Sequence, residues 1–243
     1  MMNIILTLII ISLIGPVAGS LIGVIKRPSN RLMFNMLAFA AGTMLAVSFL
    51  QLIPESIKLS SVGISIAGIA IGSVFMYLLD KAIPHIHPSL CTQEPGQNLK
   101  KTGVFLFLGM FLHNFPEGMA VAVGLTSNIR FGLAIAIAIA IHDIPEGICT
   151  SAPYYYSSKK RLKSFLLSAS TAVPTIIGLL LTYQLSKYLS LPLIGLIIAA
   201  TAGLMIYISA DELIPSSCCK LTQHSTIFSL IAGVLLVLAL KLL

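Results

Sequence analysis

The sequence predicts an all-α integral membrane protein of eight transmembrane helices, with inverted internal repeats relating spans two and seven and spans four and five. Three observations carry this. Of the 243 residues, 57% are hydrophobic and only 9% charged, a composition that a water-soluble domain of this size cannot hide from solvent. Apolar stretches of the ~20 residues needed to cross roughly 30 Å of hydrocarbon recur along the whole chain, at 3–25, 32–53, 61–79, 103–125, 129–152, 162–185, 190–212 and 225–242. Two sequence patterns each occur twice, in spans that cross the bilayer in opposite directions.

Span one contains Pro16, Ala18 and Gly19, which faintly resemble a cleavage region. It has no basic lead-in and is long enough to cross, so a retained helix is expected. Little remains for a soluble domain, and residues 1–243 are expected to form a single transmembrane domain. Its longest connection is a polar cytoplasmic loop at 80–102 that carries His85 and His87. Those two are either a weak metal catch or ordinary loop residues. Cys91, Cys149, Cys218 and Cys219 have neither disulfide-framework nor zinc-ribbon spacing and are expected to be structural thiols.

Positive charge is unevenly distributed. Loops after the odd-numbered spans hold Lys26, Arg27, Arg31, Lys81, Lys100, Lys101, Lys159, Lys160, Arg161, Lys163 and Lys220, whereas the other side holds Lys58, Arg130, Lys187 and Lys241. The richer side is expected to be cytoplasmic, which puts both termini outside. Tyr154, Tyr155 and Tyr156, just before the densest basic run, read as an interfacial belt, and the run itself as topogenic rather than nucleic-acid binding.

The first repeat aligns residues 41–56 with 202–217 without a gap, with eight identities in sixteen positions. The second is His113-Asn114-Phe115-Pro116-Glu117-Gly118 against His142-Asp143-Ile144-Pro145-Glu146-Gly147. Inverted repeats meeting at interrupted helices mark a transporter with a site near the bilayer midplane. Glu117, Asp143 and Glu146 fall within spans, where an acid costs about 2.5–3.5 kcal/mol to insert. That expense requires a compensating partner.

In each motif His and Glu are four residues apart, one turn above each other on one helical face. Asn114 and Asp143 flank that face. Pro116 and Pro145 lack the amides that would serve the carbonyls of Leu112 and Ile141, and Gly118 and Gly147 admit close neighbours. Facing each other, the motifs would offer two imidazoles, three carboxylates and an amide. Such a set suits zinc and other first-row divalent ions and is too nitrogen-rich for a dedicated calcium or magnesium cage. A lone intramembrane His is more often a helix-helix hydrogen-bond partner; the duplication is what favours a ligand. Met44 can add a thioether or simply fill space. Ser48, Gln51 and Glu55 would line an outward entrance, and Asp211 and Glu212 an exit vestibule.

These motifs resemble those of the ZIP (Zrt/Irt-like) metal transporters, closest to the bacterial-type members, over essentially the whole chain. The resemblance implies a central metal site on His113, Asn114, Glu117, His142, Asp143 and Glu146, with Met44 contributed by span two. It also implies uptake into the cytoplasm by motion of one helical group against another. Many relatives carry a Glu before the proline of span six, where this chain has Val173 before Pro174, so a single ion, or a weaker second one on Asn114 and Asp143, is expected. The cargo would be zinc, with iron, manganese, cobalt and cadmium as further candidates. The expected partners are that ion, the lipid bilayer of the cell membrane and a second copy of the chain in a homodimer, with no nucleic acid and no resident cofactor. No Gly-rich Lys-Ser/Thr phosphate loop occurs, so the ion's own gradient or a coupled ion would drive transport. The alternatives are an intramembrane metal-dependent hydrolase, which would need an open coordination position, and a proton-coupled carrier of organic solutes.

Overall fold

The computed structural model describes residues 2–25, 28–82, 114–126, 128–186, 188–217 and 224–240, and all regular structure among them is helical. The helices are α1 (Met2–Ile25), α2 (Asn30–Val47), α3 (Ile53–Leu59), α4 (Val62–Ala82), α5 (114–126), α6 (Ile129–Ser158), α7 (Arg161–Ala169), α8 (Ala172–Ser186), α9 (Leu191–Ile208), α10 (Ile214–Ser217) and α11 (His224–Leu240). Six stretches are long and apolar enough to cross a membrane: Asn3–Ile25, Arg31–Leu59, Val62–Lys81, Ile129–Ala152, Arg161–Ser186 and Leu191–Ser217, with the shorter apolar helix His224–Leu240 besides. With α5, each of the eight predicted spans contains a helix. The part of span four before Asn114, His113 included, lies outside the described residues, as do His85 and His87.

Spans two and seven each contain a π-helical turn near their predicted ends, Ser48–Leu52 leading into α3 and Ser209–Leu213 leading into α10, and run on to Leu59 and Ser217. Both turns occupy equivalent positions of the first repeat and have the same cause. Pro54 and Pro215 cannot donate to the carbonyls four residues before them, and the ladder relaxes so that the Ile53 and Ile214 amides reach back to the Ser48 and Ser209 carbonyls. The hydroxyls of those serines also donate into the helix, Ser48 Oγ to the Met44 carbonyl at 2.9 Å and Ser209 Oγ to the Met205 carbonyl at 2.7 Å.

Span six runs from Arg161 to Ser186, close to the 162–185 expected. It breaks at Ser170 and Thr171 into α7 and α8. The Ser170 carbonyl, which Pro174 cannot serve, accepts from the Val173 amide at 3.0 Å, and the Thr171 amide reaches the Ser168 carbonyl at 3.1 Å. These tight bonds end one helix and start the next. Pro145, by contrast, leaves α6 helical throughout.

Small residues bring the helices together. A side chain at Gly42 would strike the Leu230 carbonyl of α11 and one at Gly233 the Phe39 carbonyl of α2, while Gly203 and Gly72 stand in the same relation to Ile69 of α4 and Ala200 of α9. The offset that relates Gly42 to Gly203 also relates Gly72 to Gly233. The inverted repeat therefore extends to spans three and eight, where no shared motif announced it. Gly147 seats α6 on α1 beside Pro16 and Gly19, and Gly118 seats α5 on α8 at the Thr175 carbonyl. These contacts hold the two motif helices in place without lipid-excluding bulk.

Replacing Gly72 with Val is expected to lower stability by about 1–3 kcal/mol through overpacking. The same change at Gly63, where nothing lies within 4 Å, should cost less; thermal unfolding of the two variants in one detergent makes the comparison.

Candidate metal site

The two motif-bearing helices, α5 and α6, are consecutive and antiparallel neighbours. Gly124 and Gly132 face each other between them. Further along, α5 supplies Asn114 and Glu117 and α6 supplies His142, Asp143 and Glu146, all buried. Glu117, His142, Asp143 and Glu146 each offer a ligand atom, and these atoms lie within 4.8 Å of one another. That is the size of a single coordination sphere, so the four can hold one metal ion.

Hydrogen bonding sets the orientation of the imidazole. His142 Nδ1 is 3.1 Å from the Ala138 carbonyl, an acceptor only, so Nδ1 carries a hydrogen and donates it. Nε2 then faces the acids, 2.8 Å from Glu117 Oε1 and 3.4 Å from Asp143 Oδ1. An imidazole nitrogen and a carboxylate oxygen at 2.8 Å share a proton, and a metal ion bound to both would draw them into its own coordination sphere in its place. Glu117 Oε2 and both Asp143 oxygens are buried without a hydrogen-bond partner among the described residues. Acceptors left this way inside a protein are costly, and a divalent cation offsets them directly.

Asn114 is oriented by the break in span six. Its Nδ2 donates to the Thr171 carbonyl at 2.8 Å, while Oδ1 is buried with no partner among the described residues. The amide is thus pinned by its nitrogen and presents its oxygen. Behind α6, Ser20 Oγ of α1 donates to Ser168 Oγ at 2.7 Å, and Ser168 Oγ donates to the Gly147 carbonyl at 3.1 Å. This chain links α1, α7 and α6 one residue past Glu146.

Comparison with known proteins settles the lineage. The family model described as ZIP Zinc transporter matches residues 1–102 and 87–241. The chain belongs to the ZIP zinc transporter family. A protein named Zinc transporter ZupT from Enterobacter sp. (strain 638) is 34% identical over 205 residues, covering 81% of this chain and 80% of that relative. ZupT proteins of Escherichia coli O127:H6 (strain E2348/69 / EPEC) and Salmonella paratyphi A (strain ATCC 9150 / SARB42) are 35% and 33% identical over the same length and shares. ZIP membership makes this a multi-pass membrane protein and gives the hydrolase reading no support.

The remaining predicted positions of this ZIP chain fall as follows. Met44 is fully buried in the apolar core on α2, which packs against α6. Ser48 and Gln51 are buried in the first π turn, neither amide atom of Gln51 having a partner among the described residues. Glu55 lies farther out, 3.6 Å from Lys58 Nζ. Asp211 and Glu212 are half-buried in the second π turn, with Asp211 close to Tyr207, whose hydroxyl bonds Asp80. Cys149 is a buried free thiol. Val173 is 45% exposed, whereas Thr171, in the break, and Thr175, on α8, are buried. Neither threonine was singled out from the sequence; the signal was Pro174, three residues after Thr171.

Asn114→Ala removes one buried bond and leaves the Thr171 carbonyl without its donor. Unfolding of the metal-free protein should show a loss of about 1–3 kcal/mol, whereas Val173→Ala, on the outer face, should change stability by less.

Proposed function

We propose that this protein moves divalent metal ions, zinc foremost, into the cytoplasm by alternating access through a mid-membrane site. The site comprises His113, Asn114, Glu117, His142, Asp143 and Glu146, with Met44 as a soft ligand contributed by α2. Its strongest support is the convergence of Glu117, His142, Asp143 and Glu146, from two antiparallel helices, on one buried spot 4.8 Å across. Family membership supplies the independent reason to read that spot as a transport site. Residues 1–243 form one transmembrane domain in this reading, with the 80–102 loop and the basic ends of the odd-numbered spans in the cytoplasm and both termini outside.

The geometry explains how an ion can be both held and released. Carboxylates that lack partners bind a cation well only while all of them face it, so a small displacement of α5 relative to α6 dismantles the sphere. The proton shared by His142 and Glu117 supplies the exchange. An incoming metal takes the Nε2 lone pair and the Glu117 oxygen, and any proton held there must leave, because metal ligands bind deprotonated. Zinc suits the mixed nitrogen and oxygen donors, and iron, manganese, cobalt and cadmium can use the same set with affinities following ligand softness and availability.

Zinc uptake into proteoliposomes tests this directly. Glu117→Ala, His142→Ala and Glu146→Ala should each reduce the rate on the order of 10²-fold, the consequence of leaving buried charged groups unpaired, while Val173→Ala, a change at a 45% exposed side chain that adds no charge to the span, should leave it within a few-fold. Undiminished uptake in all three alanine variants would overturn the proposal. In a weakly buffered solution, zinc binding to the purified protein should release about one proton or more per ion, read by a pH indicator dye.

A further inference from the structure

Away from the metal-site residues, the surface of α7 combines charge with apolar exposure. Its inward face is Ser164 and Ser168, both buried, with Ser168 bonded to α6 and Ser164 Oγ donating to the Lys160 carbonyl at 2.8 Å. On the outward face Leu162 and Leu166, one turn apart, are 69% and 55% exposed. Lys160, Arg161, Leu162, Lys163, Leu166 and Leu167 line an open recess of about 660 Å³. Arg161 is fixed beside it, its guanidinium 5.5 Å from the Tyr155 ring centroid and Nη2 donating to the Tyr155 hydroxyl at 3.4 Å.

No Asp or Glu occurs between Glu146 and Asp211, and no ion pair involves Lys160, Arg161 or Lys163 among the described residues. Topogenic charge needs only to be on the correct side; it does not need to bracket a leucine pair in a recess. A cationic rim above exposed leucines at the end of a transmembrane segment matches a lipid that has an anionic head and an acyl chain beneath it. Tyr155 adds an amphipathic ring at the same level.

We infer that the α7 recess binds the headgroup of an anionic phospholipid of the adjoining leaflet, with Lys160, Lys163 and Arg161 against the phosphate and Leu162 and Leu166 against the chain. The bound lipid would brace α7 against α6 and α1. Because α7 ends at the break whose Thr171 carbonyl holds Asn114, the lipid would steady the segment that orients that amide. The inference requires only that α7 sits at the membrane surface, so it stands or falls separately from metal transport.

The test is native mass spectrometry of the full-length protein after exchange into nanodiscs of equal phosphatidylglycerol and phosphatidylcholine. Wild type should retain phosphatidylglycerol in preference. Lys160→Ala/Lys163→Ala should weaken that retention about 25-fold, taking roughly fivefold per lysine near a membrane surface. Leu162→Gln/Leu166→Gln should weaken it too, because the chain half of the site is lost. Lys58→Ala, in the last turn of α3, should retain wild-type preference and serves as the control for general charge loss. Equal loss in Lys58→Ala, unchanged retention in the α7 double-lysine variant, or displacement of the lipid by millimolar inorganic phosphate with the leucine variant unaffected would each overturn the inference. Circular dichroism of the α7 variants confirms that they fold; if the double-lysine variant does not, Lys160→Gln/Lys163→Gln is read in its place.

Discussion

The structure depends on one constraint: several carboxylates must be kept deep inside a bundle that otherwise offers them only hydrocarbon. Glu117, Asp143 and Glu146 are buried, and each would cost a few kcal/mol on insertion with nothing to meet it. Grouped around one imidazole, where the four could hold a cation, they can offset one another's cost only because two helices present them to the same point. The remaining architecture serves that meeting. Helices α5 and α6 are consecutive neighbours, Gly118 and Gly147 seat them against α8 and α1, and the Ala138 carbonyl fixes the His142 ring so that Nε2 faces inward.

Around this centre the chain repeats itself in inverted form. Equivalent π turns follow Ser48 and Ser209, and equivalent glycines lock α2 to α11 and α4 to α9. Two halves built alike but facing opposite sides have a built-in route to two alternative arrangements around one fixed site, since each half has the means to adopt the geometry of the other. The π turns, where carbonyl pairing is already relaxed, lie on the two spans whose polar residues run from the interior toward opposite surfaces.

Much of this was legible in the sequence because the physics behind it is local. Four-residue spacing of His and Glu fixes a shared helical face, and an acid in an apolar stretch demands a partner wherever the stretch packs. The eight spans followed from hydropathy alone. What was not legible depended on where a helix yields to a proline. Pro145 sits in an unbroken helix, whereas Pro174 splits span six, and the two are alike in sequence; the difference lies in the Ser170 and Ser168 carbonyls finding nearby amides at Val173 and Thr171. That break supplies the Thr171 carbonyl which orients Asn114, so the role of the amide oxygen was invisible until the break was seen. The repeat of spans three and eight escaped notice for a similar reason, since only single glycines carry it.

The central claim is that one ion shares the buried groups of α5 and α6. Anomalous diffraction from zinc-soaked crystals, recorded on both sides of the zinc absorption edge, tests it most directly. The account predicts a peak enclosed by Glu117, His142, Asp143 and Glu146, within about 2.0–2.2 Å of their nitrogen and oxygen atoms, that disappears in Glu117→Ala. A peak confined to other residues, with those four side chains left facing one another across an ion-free gap, would contradict it.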